Sequence, residues 1–322
     1  MSPGVQVFVY PEELRFTSPQ ALVALLADLG CDAVSMALVY HRARRVFPRH
    51  RHVSILTGTT AYFEPDRGRY GGLEPDAVAD PELQELVLGF REVCRREGIR
   101  FGAWMVGLHH AELATRYPEA AATTIDGSPL GHSLCPSAPQ AVEYLAALAG
   151  DVAARVTPDS VDLEAWLYPA WEPSYTLTLA LAPLSPEAEL LATQCFCPHC
   201  RELCRDDANA LWRRAQAAAG PPFGDAVPAM AENVVEELAA IRARGVRRLA
   251  GVVADAVHAE GVELRLFASG PPERSPATMA ADVTRLAAAG AEGLALYNLS
   301  LVPEAGLDAF RAAASAFRAD PA

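Results

Sequence analysis

The feature that most limits the fold is a regular alternation of short apolar runs with amphipathic helices. Val5–Tyr10, Ala33–Tyr40, Arg100–Val106, Ser160–Trp166, Val262–Ala268 and Ala291–Asn298 read as strands. Pro19–Gly30, Asp80–Glu97, Pro139–Ala154, Thr278–Gly290 and Glu304–Arg318 read as helices, with Ser18 placed to cap the first and Gly30 and Gly98 placed to stop the first two. Strands that alternate with helices predict a parallel sheet covered on both faces, because each crossover must pass over the sheet. At 322 residues the chain is long enough for one such domain, expected to span 1–322.

Two α/β architectures compete. A dinucleotide-binding sheet would need a glycine-rich turn after the first strand, but the chain reads Tyr10-Pro-Glu-Glu there. The strand ends instead carry aromatic, acidic and imidazole side chains: Tyr10, Tyr40-His41, Trp104 to His109-His110, Glu164-Ala-Trp166 and Tyr297-Asn298. Sites in (β/α) barrels are built at those carboxyl ends, so the expectation is a TIM-type (β/α) barrel. It would be irregular. Six strands are visible where closure takes roughly eight, and residues 199–261 read as almost unbroken helix. Val53–Phe63 reads as a β-hairpin inserted after the second strand.

Composition removes several chemistries. All 27 basic residues are arginine, so no lysine can form a Schiff base, hold pyridoxal phosphate or complete a P-loop. A net charge of −13 argues against nucleic acid or an anionic membrane as partner. No leader or membrane-length apolar run is visible, and the seven cysteines are odd in number and crowded. Together these features predict a cytoplasmic protein, a small-molecule substrate and compatibility with a homo-oligomer.

The sharpest motif is Cys195-Phe-Cys197-Pro-His-Cys200, three thiols on a knuckle tight enough to share one ion. A fourth ligand would be Cys135 in His132-Ser-Leu-Cys135-Pro136 or Cys204, with His199 a weaker choice. Four sulfurs leave no position for water, so a zinc ion held this way would be structural.

The succession of a His…Cys-Pro segment, a helix, a strand ending in an acid and then Cys-x-Cys-x-x-Cys resembles the family 42 glycoside hydrolases, mostly β-galactosidases. The resemblance covers roughly residues 5–205, and its specific part is 132–200. It implies a structural zinc on Cys135, Cys195, Cys197 and Cys200, and a general acid/base at Glu164. Leu163 stands where that family has an asparagine, and no nucleophile strand is evident. The chain is also similar, over a longer stretch, to uncharacterised bacterial glycoside-hydrolase-like barrels.

Glycoside hydrolysis needs a second carboxyl group across the scissile bond. Asp162 shares the face of Glu164 two residues earlier, and Glu273 follows a strand through Ser269-Gly-Pro-Pro; Glu64 and Asp66 are placed to fold over the cavity from the inserted hairpin. Trp166, Tyr168, Trp171 and Tyr175 are placed to stack on a sugar ring, while Tyr10, His41, Trp104, His109, His110 and Tyr297 line the same end. The expected function is therefore a carbohydrate-active, glycoside-hydrolase-like enzyme acting on a sugar or cyclitol-like molecule. Two alternatives are a sugar isomerase, epimerase or lyase using Glu164 and His110, and a barrel that only binds sugar or a protein partner.

Overall fold

The computed structural model describes residues 4–75, 80–169, 194–203, 208–219, 228–266 and 293–319. All six expected strands are present: β1 (Gly4–Val9), β2 (Ala33–Tyr40), β6 (Arg100–Val106), β9 (Ser160–Glu164), β10 (Glu263–Leu266) and β11 (Gly293–Leu296). They lie parallel in the order β10-β9-β6-β2-β1-β11, which follows the chain around the sheet and sets the last strand beside the first. β2, Ala-Val-Ser-Met-Ala-Leu-Val-Tyr, is buried at every position, as expected of a strand covered on both faces.

The described helices are α1 (Pro19–Asp28), α2 (Pro81–Glu97), α3 (Ala111–Arg116), α4 (Pro139–Val156), α5 (Pro198–Glu202), α6 (Ala208–Ala219), α7 (Pro228–His258) and α8 (Leu307–Ala319), of which α2, α4, α7 and α8 pack against the sheet. The caps follow the sequence. Ser18 accepts from the Ala21 N–H, Asp80 accepts from Leu83, and Gly98 closes α2 at φ 73°. None of the described helices is long and apolar enough to cross a membrane. The helix expected at Thr278–Gly290 lies outside the described residues.

The sheet is curled. Arg265 on β10 donates to Gln6 Oε1 on β1 at 2.6 Å, four strands away. In a flat sheet that separation would be roughly 19 Å, beyond the reach of the two side chains. Gln6 Nε2 in turn donates to Asp162 on β9 at 2.7 Å, and Ser35 on β2 and Ser160 also donate to that carboxylate. Gly102 on β6 makes this possible, since a Cβ there would meet Asp162 and lie 3.0 Å from the Ser160 hydroxyl. The described strands form part of a barrel wall with β10 and β11 at its edges. Residues 267–292, between those edges, are not described, so a closed barrel is not established.

The inserted hairpin differs from expectation. Its strands are β3 (Ala43–Phe47) and β4 (His52–Leu56), so it begins at Ala43 rather than Val53, and the reversal falls at Pro48–His50 with Arg51 at φ 50°. The arginine-rich run after Tyr40 hides this strand, because Arg45 points inward among aromatics. β5 (Thr60–Ala61) then pairs antiparallel with β2. A second hairpin, β7 (Ala121–Thr123) with β8 (Pro129–Leu134), is absent from the sequence reading, although Asp126-Gly127, with Gly127 at φ 92°, carries its turn signal.

Burial holds the pKa of Asp162 above the ordinary aspartate range despite its hydrogen bonds. A carboxyl whose folded pKa is raised contributes stability below its unfolded pKa and loses it as pH rises through the folded value. Asp162→Asn removes that titration. Urea denaturation of both proteins between about pH 4 and pH 7 should therefore show the variant gaining on the wild type as pH rises. A difference independent of pH would contradict this account.

Candidate functional site

At the carboxyl end of the sheet the first layer above Asp162 is Trp104, which is fully buried. Its ring packs against Phe8, Tyr40 and Tyr297 edge to face at 5.0–5.6 Å and is stacked on Tyr10 at 5.5 Å. Its indole Nε1–H donates to Glu164 Oε2 at 2.8 Å. β9 ends at Glu164 because Ala165 turns to φ 52°, and the freed tip is held to β6 by the Gly107 N–H donating to the Glu164 carbonyl. Glu164 is half-buried, with one carboxylate oxygen fixed by tryptophan.

Three tyrosine hydroxyls close the next layer. Tyr10 donates to Tyr40 at 2.8 Å, and Tyr297 lies 3.2 Å from the first and 3.3 Å from the second. Burial raises the pKa of each, so all three stay neutral hydroxyls. Donating around such a triangle leaves each oxygen a lone pair. Tyr297 is 40% exposed and carries the cluster to the surface.

Under this cluster lies a buried ion pair that sequence reading missed. Arg45 contacts Glu12, and both touch the Tyr62 hydroxyl, at 3.2 Å from Arg45 and 2.8 Å from Glu12. The guanidinium sits 4.5 Å over the Tyr10 ring, so the inserted hairpin is clamped to β1 by a cation under an aromatic face.

His41 stacks on Tyr40 at 4.4 Å and meets His109 at 4.6 Å, which in turn lies 5.6 Å from His132. Burial lowers both His41 and His109, the latter to about 3, so both are neutral near pH 7. They open on a cavity of about 570 Å³ between the base of the β3–β4 hairpin and the 109–111 loop. His110 turns away from it. Fully buried, it caps α3 by accepting the Leu113 N–H at 3.2 Å through Nδ1.

The other expected acids are distributed unevenly. Asp162 does share the face of Glu164, one layer deeper, but it is wholly buried and held by three side-chain donors. Its carboxylate therefore has no open side toward a solute. Asp66 is not over the cavity: its backbone N–H bonds to Asp151 on α4 and its carboxylate faces Arg155 and Arg69. Glu64 is exposed. Trp166 and Tyr168 pack half-buried against the core. Glu273, Trp171, Tyr175 and Cys204 lie outside the described residues.

The cysteines converge. Cys135, Cys195, Cys197 and Cys200 are buried, with all four sulfurs within 4.8 Å of one another and Cys135 Sγ at 3.4, 3.5 and 3.7 Å from Cys200, Cys197 and Cys195. Sulfurs at the corners of a tetrahedron around one ion would stand about 3.8 Å apart, so the donor set fits a metal ion. Backbone N–H groups of Thr123, Ser137 and Cys200 point at three of the sulfurs at 3.3–3.4 Å. The Tyr168 hydroxyl reaches Cys200 Sγ at 3.5 Å and Ser137 Oγ at 2.5 Å, and Arg242 on α7 lies over the Tyr168 ring at 4.5 Å. α7 comes this close because position 245 is glycine, where a Cβ would collide with Ser137 and Tyr168.

No family model matches the sequence, and no curated protein matches it by sequence. Among solved structures, α-L-fucosidase isoenzyme 2 from Paenibacillus thiaminolyticus is similar over 97% of this chain and 49% of its own, with TM-score 0.55 at 12% identity. The chain thus spans about half the length of that enzyme. The PgaB glycoside hydrolase domain from Bordetella bronchiseptica is similar over 96% of this chain and 98% of its own, with TM-score 0.41 at 14% identity. The fold is similar to that of the matched half of the fucosidase. The likeness does not single out family 42.

Replacing Arg45 by methionine leaves Glu12 buried without its cation. Arg45→Met should lower stability by about 3–5 kcal/mol in chemical denaturation. A loss below about 1 kcal/mol would mean the pair is in effect solvated.

Proposed function

We propose that this chain is a glycoside-hydrolase-like enzyme acting on a carbohydrate at the carboxyl end of its sheet, with Glu164 as general acid/base. The observation that carries the reading is Glu164 itself: a strand-tip carboxylate, half-buried, with one oxygen fixed by Trp104 beside three tyrosine hydroxyls. A proton-transfer group must be held within reach of the leaving oxygen, and the bond from Trp104 fixes where this carboxylate stands. The hydroxyl triangle supplies donors and acceptors for sugar hydroxyls, and Trp104 holds the aromatic layer in place. Glu273 is our choice for the second carboxylate. The interior hydrogen bonds of Asp162 suit it to holding the curl of the sheet rather than to chemistry.

The test is turnover of an aryl-glycoside panel by wild type and Glu164→Gln, with products identified by NMR. Hydrolysis reduced about 10²–10⁴-fold by the substitution is the expected result. Epimerised or eliminated products would move the chain to isomerase or lyase chemistry, and sugar binding without turnover in either protein would leave a binding barrel.

We further propose that the four-cysteine cluster holds one structural zinc ion, with Cys135 rather than Cys204 as fourth ligand. Zinc would be saturated by four thiolates and would serve to pin the 195–200 knuckle to the β7–β8 hairpin and α7. Protein purified without added metal should contain one zinc per chain by elemental analysis. Cys197→Ser should lose it together with thermal stability, and Cys204→Ser should keep it. Full stability after complete chelation would point to bare thiols.

A further inference from the structure

The cavity beside the histidines has a chemical bias of its own. Its charged lining is Arg42 and Arg44, with the neutral imidazoles of His41 and His109 and the apolar Ile55 and Leu56. No aspartate or glutamate among the described residues lines it. Both arginines are exposed, and their side chains pair with no acid among the described residues. Elsewhere arginines meet carboxylates repeatedly, as Arg67 with Glu74, Arg69 with Glu260, and Arg311 with Asp28 and Asp308. In a chain of net charge −13 two neighbouring arginines at one cavity give it a local positive potential. Among the described residues the acid close by, Glu112, is turned to His110 and to the Thr59 hydroxyl at 3.0 Å, which lower its pKa to about 2.

Packed side chains lead from the wall of this cavity to the candidate catalytic carboxylate. Glu164 is bonded to Trp104, Trp104 packs on Tyr40, Tyr40 stacks on His41, and His41 lines the cavity. A volume of about 570 Å³ accommodates one or two sugar rings.

We infer that the ligand of this cavity is an anionic sugar, its carboxylate, sulfate or phosphate group received by Arg42 and Arg44 while its ring lies against His41 and His109. Guanidinium forks match the paired oxygens of all three anions, and the two imidazoles, neutral near pH 7, place polar rings beside them. The inference rests on the carbohydrate reading above and specifies the ligand class of the cavity that adjoins the Glu164 cluster through His41 and Tyr40.

Isothermal titration separates the two. The probes are methyl glucuronide, galactose 6-sulfate and glucose 6-phosphate against methyl galactoside and glucose, with wild type, Arg42→Gln and Arg44→Gln. At least one anionic probe should bind more tightly than its neutral counterpart, and the best of the three identifies the anion. Each substitution should weaken that probe about tenfold or more while leaving neutral sugars unaffected. Rising salt should weaken it as well. Both arginines are exposed, so the variants should fold, which circular dichroism checks. Anionic binding without turnover of any glycoside would support the inference and remove the hydrolase reading. Turnover of neutral glycosides with no anionic preference and no effect of either arginine would overturn the inference and leave the hydrolase reading standing.

Discussion

The curl of the sheet depends on a polar tie inside it. Gln6 accepts from Arg265 on one side and donates to Asp162 on the other, so side chains from β1, β9 and β10 meet where a flat sheet would hold them far apart. Ser35 adds β2 to the same carboxylate. Burying such a group is costly unless its hydrogen bonds are satisfied, and here each bond also draws a different strand inward. Because the strands converge below, their carboxyl tips converge above. That convergence sets Trp104, Tyr10, Tyr40, Tyr297 and Glu164 within contact of one another.

The layer above is organised by charge as much as by packing. Arg45 is placed where an apolar side chain would be expected, and its cation lies over Tyr10 while its partner Glu12 shares the Tyr62 hydroxyl. The arrangement fixes the hairpin at its base, leaving the outer face of β3 and β4 to solvent. Arg42 and Arg44 therefore differ from Arg45 in environment although they are near neighbours in sequence: one cation neutralised inside, two outside.

The main architecture was legible because its signals are local. Each of the six strands is a compact apolar run, the helices α1 and α2 begin at Ser18 and Asp80 and the second ends at Gly98, and the cysteine spacing is short enough to imply a shared centre. What escaped depends on tertiary context. Nothing in Arg42-Ala-Arg-Arg announces that the third arginine turns inward, and the strand it belongs to has no apolar alternation to betray it. Asp162 and Glu164 share a face by period alone, but depth along the barrel axis decides which meets the cavity. His109 and His110 are adjacent and identical in type, yet backbone geometry sends one to the rim and the other to cap α3.

The cysteine cluster and the Glu164 strand tip are linked by backbone rather than by side chains. Cys135 follows β8, where the Leu134 N–H donates to the Leu108 carbonyl at 2.9 Å and the His132 carbonyl accepts from His110 at 3.1 Å. Leu108 in turn donates to the Ala165 carbonyl at 2.8 Å, next to Glu164. The cluster therefore anchors one end of a short hydrogen-bonded path whose other end is the tip of β9. Holding Cys135 in place holds β8, β8 holds the 107–110 segment that carries His109, and that segment holds the strand end that presents Glu164. Four buried cysteines gathered at one point can keep a strand tip and a rim histidine in register.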